Sequence, residues 1–414
     1  MLKKNASPSL LTEGGGEQIM GTPELFGEKR KTCIDARSIR KEGLVMELEV
    51  YGHGGDLVTA SARYGVAAGE WTDFSANINP LGPPPGLLDA LREALPGIVR
   101  YPDPGHRKLV TQLASRLQVE EETLVVGNGA AENMALALLG LAPGKVGIVE
   151  PCFSEYRTLS EQFGARVQSV FGTEEQAFRA MPEEIEGLIR ETDLTFIGQP
   201  NNPNGVQYGI DELRRFAAAG ERYGTYVVVD EAFIDFIPEP ERRTLLPELG
   251  EYPHLVLIRS MTKFYAIPGL RLGYAIAQPE TARRMRDKQV TWSVNSLALL
   301  AGEFCLGADA SYEQATLELV KRQRDRLAGE LTRLGCQTWP SMVNFLLVRL
   351  PETWTAEAMQ TALGRRGVLV RSCAMYPGLT RRDIRLAVKD EPACVKLLRE
   401  LEAVMGESMS GEIR

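Results

Sequence analysis

From about residue 86 to 300, short apolar runs alternate with stretches of helical period, and this alternation limits the fold more than any other feature. The helix-period stretches cover 87–94, 108–117, 131–141, 155–163 and 211–223. Between and after them lie apolar runs at 124–126, 146–149, 194–197, 226–229 and 255–258, with a further strand at 270–277. Parallel strands need crossover connections, so strands alternating with helices predict an α/β fold with a mostly parallel sheet flanked by helices.

The pattern changes on either side. From 278 onward the chain reads as helical, with a charge-laced helix at 312–334. Strands at 345–349, 368–371 and 384–388 follow, with helices at 355–366 and 392–405. A chain of 414 residues is longer than one core usually supports, so a second, smaller α+β domain is expected. The expected division is a flexible extension over 1–45, an N-terminal arm and part of the small domain over 46–85, a large domain over 86–300 and a C-terminal small domain over 301–414. Residues 1–45 are rich in Lys, Arg, Glu, Ser and Gly without apolar period. Met46 is an expected natural start, which mass spectrometry of the native protein tests.

A net charge of -8 argues against a nucleic-acid partner, although a cationic pocket can sit inside an acidic protein. Six cysteines without paired spacing and three histidines make a zinc site or a disulfide framework unexpected. The apolar stretch 134–142 is far short of the roughly 20 residues of a membrane span, and the first residues hold no signal-like apolar block. These readings point to the cytoplasm and away from membranes.

Four landmarks follow one another. Gly127-Asn128-Gly129-Ala130-Ala131-Glu132 ends a strand and opens a helix, where small residues and free amides suit an anion. A plain tight turn fits equally, and a dinucleotide site lacks its third glycine. Gln199-Pro200-Asn201-Asn202-Pro203-Asn204-Gly205 stiffens a turn at a strand's carboxyl end, where open α/β sheets bind ligands. Asp230 closes the apolar run 227–229; a buried acid there needs a partner such as a protonated pyridine nitrogen, a metal or a helix cap. Ser260-Met261-Thr262-Lys263, followed by Arg271 and Gly273, offers an amine for imine chemistry and donors for a phosphate. A lone lysine is ordinarily a solvated charge, so Lys263 draws its meaning from the other three.

In this order, the PNNP, DEA, SMTK and RLGY segments identify the chain as similar to fold-type-I pyridoxal-phosphate enzymes of the aspartate aminotransferase superfamily, over about residues 50–405. The resemblance implies pyridoxal 5'-phosphate as cofactor and no metal. Lys263 is then the imine lysine and acid/base. Asp230 pairs with the ring nitrogen, Asn202 bonds the ring hydroxyl and Phe153 stacks on the ring. Ala130, Ala131, Ser260 and Arg271 bind the cofactor phosphate. Tyr101 resembles the tyrosine that reaches a neighbouring subunit's phosphate, which implies a homodimer. Phe233 departs from the family pattern, which usually has a tyrosine there.

Two subfamilies compete, histidinol-phosphate aminotransferase and threonine-phosphate decarboxylase of cobalamin synthesis. Tyr51-Gly52-His53-Gly54-Gly55 and the segment from Asp73 to Gly82 resemble the decarboxylase, and Phe233 tips the balance the same way. Arg371 ends the apolar run 368–370, and Arg385 sits between Ile384 and Leu386. Guanidinium groups beside buried strands need anions, either a doubly anionic substrate or structural carboxylates. His53, Gly54, Asn77 and Asn202 would add donors. The expectation is a carboxy-lyase taking L-threonine O-3-phosphate to (R)-1-amino-2-propanol O-2-phosphate, with an aminotransferase of a phosphorylated substrate as the alternative.

Overall fold

The computed structural model describes residues 54–409, together with Leu48. The expected extension over 1–45 and His53 lie outside the described residues. In chain order the first strands are β1 Thr72–Asp73, β2 Leu124–Gly127, β3 Lys145–Glu150, β4 Arg166–Phe171, β5 Leu194–Gly198, β6 Tyr226–Asp230, β7 Leu255–Ser260 and β8 Gly273–Ala277. The later ones are β9 Gln337–Thr338, β10 Phe345–Arg349, β11 Val368–Leu369, β12 Arg371–Ser372 and β13 Asp383–Ala387.

Seven of these form one sheet in the order β2-β8-β7-β6-β5-β3-β4. Strand β8 runs antiparallel to both β7 and β2, and the β7-β6-β5-β3-β4 pairings are parallel. Along each central strand, successive residues enter different cores. Val227, Val229, Leu255 and Leu257 join one cluster, whereas Val228, Val256 and Ile258 join the other. A sheet covered on both faces explains why these strands read as unbroken apolar runs. It also sets the carboxyl ends of β2, β3, β5, β6 and β7 along one edge, where the chemistry-bearing segments emerge.

The second sheet is antiparallel, in the order β12-β13-β10-β9. One face packs through Leu346, Val348, Ile384 and Leu386 against helices Ala310–Arg333, Ala356–Gly364 and Glu391–Met409. On the long helix the buried positions Tyr312, Thr316, Val320, Gln323, Leu327 and Leu331 recur at three- and four-residue spacing, a single stripe facing inward.

Several elements differ from the sequence reading. The strand expected over 270–277 begins only at Gly273, because Arg271 takes a left-handed backbone with φ of 60°. The strand expected over 368–371 is split. Val368–Leu369 pairs with β1, and Arg371–Ser372 pairs with β13. The helical stretch after 278 is two helices, Pro279–Arg286 and Ser296–Leu306. Strand β4 and helix Pro182–Glu191 were not expected. The strand lies at the sheet edge with half-buried, mixed side chains, so it carries no apolar run.

Candidate active site

A cavity of about 620 Å³ opens where the carboxyl edge of the large sheet meets the second sheet. One end is built by three segments. Helix Ala130–Leu141 starts there after Gly129, whose φ of 87° suits glycine. A Cβ on Gly129 would lie 2.5 Å from Nη2 of Arg271, so only glycine lets the guanidinium lie against this turn. Ser260 and Thr262 add hydroxyls, 2.7 Å apart. The amides of a helix N-terminus, two hydroxyls and a guanidinium form a seat for a phosphate.

Asp230 ends β6 and lines the cavity, with 8% of its surface exposed. Its Oδ1 accepts from the Ala232 amide at 3.0 Å and its Oδ2 from the Tyr156 hydroxyl at 2.6 Å. Burial raises its pKa to about 6, against the pull of these donors. Lys263 sits on the one-turn helix Met261–Phe264 that follows β7. Burial, then the positive charges of Arg271 and Arg385, lower it to about 8, against the attraction of Asp230. Phe153, after β3, and Asn202, after β5, line the same space.

The far end is cationic. Arg371 and Arg385 are Cα partners across the antiparallel β12-β13 pair, so both side chains point to the same face. Both are buried and both line the cavity. Arg385 donates to Asn202 Oδ1 at 2.6 Å and to the Ser75 carbonyl at 2.7 Å. The 73–77 segment reaches this end because Phe74 bridges β11 and β13: its amide donates to Leu369 and its carbonyl accepts from Ala387. Gly54 packs against the same segment, where a Cβ would sit 2.2 Å from the Ser75 carbonyl oxygen.

Of the residues singled out from sequence, Gly54, Asn77, Ala130, Ala131, Phe153 and Asn202 line this one cavity. So do Asp230, Ser260, Lys263, Arg271, Arg371 and Arg385. Tyr101 does not. It is 78% exposed and stacks on Trp292 with ring centroids 4.4 Å apart. Sequence reading missed Tyr156, Thr262 and Tyr376. Thr262 stood inside a quoted motif. Tyr156 carries no local signal, since it acts through Asp230, 74 positions away, whereas Tyr376 lies under Arg371, five positions before it, at 5.9 Å.

The family model for aminotransferase class I and II matches residues 69–401. The chain belongs to that family. Among relatives, a threonine-phosphate decarboxylase of Salmonella typhimurium is 37% identical over 355 residues, 85% of this chain and 96% of its own. A histidinol-phosphate aminotransferase of Oleidesulfovibrio alaskensis is 33% identical over 380 residues, 88% of this chain and 92% of its own. The crystal structure of the histidinol-phosphate aminotransferase from Clostridium acetobutylicum superposes with a TM-score of 0.75 at 32% identity, covering 81% of this chain and 99% of that one.

The cofactor of this aminotransferase-family enzyme is pyridoxal 5'-phosphate, and the cavity fits it. The seat at Gly129 and Arg271 suits its phosphate, the buried Asp230 carboxylate suits a cationic ring nitrogen, and the Lys263 amine lies within reach of the same cavity. Among the described residues no helix is long and apolar enough to cross a membrane.

Proposed function

We propose that this enzyme decarboxylates L-threonine O-3-phosphate to (R)-1-amino-2-propanol O-2-phosphate, in cobalamin biosynthesis, and works as a homodimer. The observation that carries the reading is the Arg371–Arg385 pair, two buried arginines that are Cα partners on adjacent strands. Like charges so placed repel, and a substrate bearing both a carboxylate and a phosphate relieves the repulsion. Arginine suits both groups through paired hydrogen bonds. The relative from Salmonella typhimurium supports the choice of substrate.

Bound pyridoxal 5'-phosphate supplies an electron sink for charge developing at the substrate's α-carbon. The chain's own residues do the rest. Ala130, Ala131, Ser260 and Arg271 hold the cofactor phosphate. Asp230 would pair with the ring nitrogen, Asn202 would bond the ring hydroxyl and Phe153 would pack on the ring. Arg371 and Arg385 grip the substrate's anions, with Gly54 and Asn77 as nearby donors, and turn the carboxylate that leaves. Lys263, with its pKa lowered to about 8, is the acid that returns a proton to the α-carbon once carbon dioxide has departed. Phe233 presents a ring, edge-on to Phe345 at 5.0 Å, and no hydroxyl to the cofactor side of the cavity. That supports decarboxylation over transamination.

The test incubates the holoenzyme with phosphothreonine and, separately, with histidinol phosphate, measuring carbon dioxide and glutamate. Carbon dioxide from phosphothreonine without glutamate is expected. Glutamate formed from 2-oxoglutarate with histidinol phosphate would establish the aminotransferase reading that the Oleidesulfovibrio alaskensis relative favours.

A further inference from the structure

We infer that Tyr156 is a positioning residue that holds Asp230 ionised and aimed into the cavity, and through it keeps a proton on the ring nitrogen of the bound cofactor. This rests on the reading above, in which Asp230 faces that nitrogen.

Asp230 lines the cavity and Tyr156 does not, so the carboxylate is gripped from the protein side. The Tyr156 hydroxyl donates to Oδ2 at 2.6 Å while the Ala232 amide donates to Oδ1 at 3.0 Å. Two anchors on two oxygens fix the carboxylate plane and leave its open side toward the cavity. The phenol is itself held firmly. Its ring stacks on Phe196 of β5 at 4.9 Å and 6°, and meets Phe153 edge-on at 5.8 Å. Burial, reinforced by the Asp230 charge, drives the phenol well above its ordinary pKa, so Tyr156 remains a donor.

The remaining ionisable groups acting on this pair are Lys263, Glu231 and Cys152. Lys263 stabilises the carboxylate, whereas Glu231 opposes its charge. Against burial, the largest stabilising contribution to the Asp230 anion comes from the Tyr156 hydrogen bond. A phenol stabilises a carboxylate far more than it does the neutral acid. Without it, a proton shared between Asp230 and a ring nitrogen moves toward the carboxylate. The ring then loses positive charge and accepts electrons less well.

The experiment loads the holoenzyme with cofactor labelled with nitrogen-15 at the ring and records its resonance in the wild type, Tyr156→Phe and Asp230→Asn. The wild type is expected to show a protonated ring nitrogen, and Tyr156→Phe to move the resonance toward the neutral pyridine position. In the same variant kcat on phosphothreonine should fall about tenfold, with KM changed less. Fluorotyrosine at position 156 keeps the packing and donates more strongly. It should hold or strengthen the protonated signal, and it covers a Tyr156→Phe protein that fails to fold. An unmoved resonance in Tyr156→Phe, alongside a shifted one in Asp230→Asn, overturns the role of Tyr156 and leaves Asp230 in place. Resonances unmoved in both variants overturn both assignments.

Discussion

Asp230 and Lys263 are two opposite charges that burial disfavours, and their energetics are testable before any substrate is added. Burial raises the Asp230 carboxyl to about 6, against about 3.9 in an unfolded chain. Between those values the native state binds more protons than the unfolded one, so this group lowers stability as pH rises through the window. Asp230→Asn abolishes the effect while its carbonyl can still accept from Tyr156. In denaturant titrations of the cofactor-free protein, its advantage over wild type should be small near pH 4, grow between about pH 4 and pH 6, and level off above that at an upper limit of about 3 kcal/mol. An advantage independent of pH would contradict the buried-charge account. Lys263→Ala should lose the visible absorbance that survives desalting in the loaded wild type, and its persistence would refute a covalent link at that amine.

At the scale of elements, pairs of segments rather than single residues shape the site. Strand β6 delivers Asp230, the turn after β7 delivers Lys263, and the helix beginning at Ala130 delivers free amides. Arg271 keeps a left-handed φ of 60° that costs a non-glycine residue energy, the kind of strain found at functional positions. The β12-β13 pair sets the two arginines opposite each other, and Arg385 spans Asn202 and the Ser75 carbonyl with two separate nitrogens. A lysine has a single nitrogen and lacks the fork that lets arginine reach the two acceptors with separate nitrogens. Arg385→Lys should therefore lower kcat/KM for phosphothreonine by roughly ten- to a hundredfold, the worth of a charged hydrogen bond. Steady-state kinetics showing unchanged kcat/KM would remove Arg385 from substrate binding.

For the whole molecule, the exposed apolar surface is unevenly spread. Ile98, Val99 and Tyr101 lie in one segment and Val290 and Trp292 in another, joined by the Tyr101–Trp292 stack. Large apolar groups kept in water at such a patch favour association, which agrees with the proposed homodimer. Val99, 85% exposed, touches little of its own chain. Val99→Asp should shift sedimentation toward the monomer and reduce activity together, with the folded chain's melting temperature little altered. A dimer that survives this change would move the interface elsewhere on the surface.

The α/β class, most of its strands and twelve of the positions that line the cavity were legible in the sequence, several of those positions only through the family resemblance. Unbroken apolar runs report burial on both faces of a sheet, and residues at strand ends inherit one common edge. Other features needed the tertiary fold. Tyr156 meets Asp230 across 74 positions of chain, and nothing near either residue announces the contact. The run around 368–372 looks like one strand, yet its halves serve two sheets, and that split turns Arg371 toward Arg385. Periodicity encodes which face a residue buries, because that depends on its neighbours in sequence. Which distant side chain completes a charge is decided by packing between segments, and packing leaves no repeating mark in the chain.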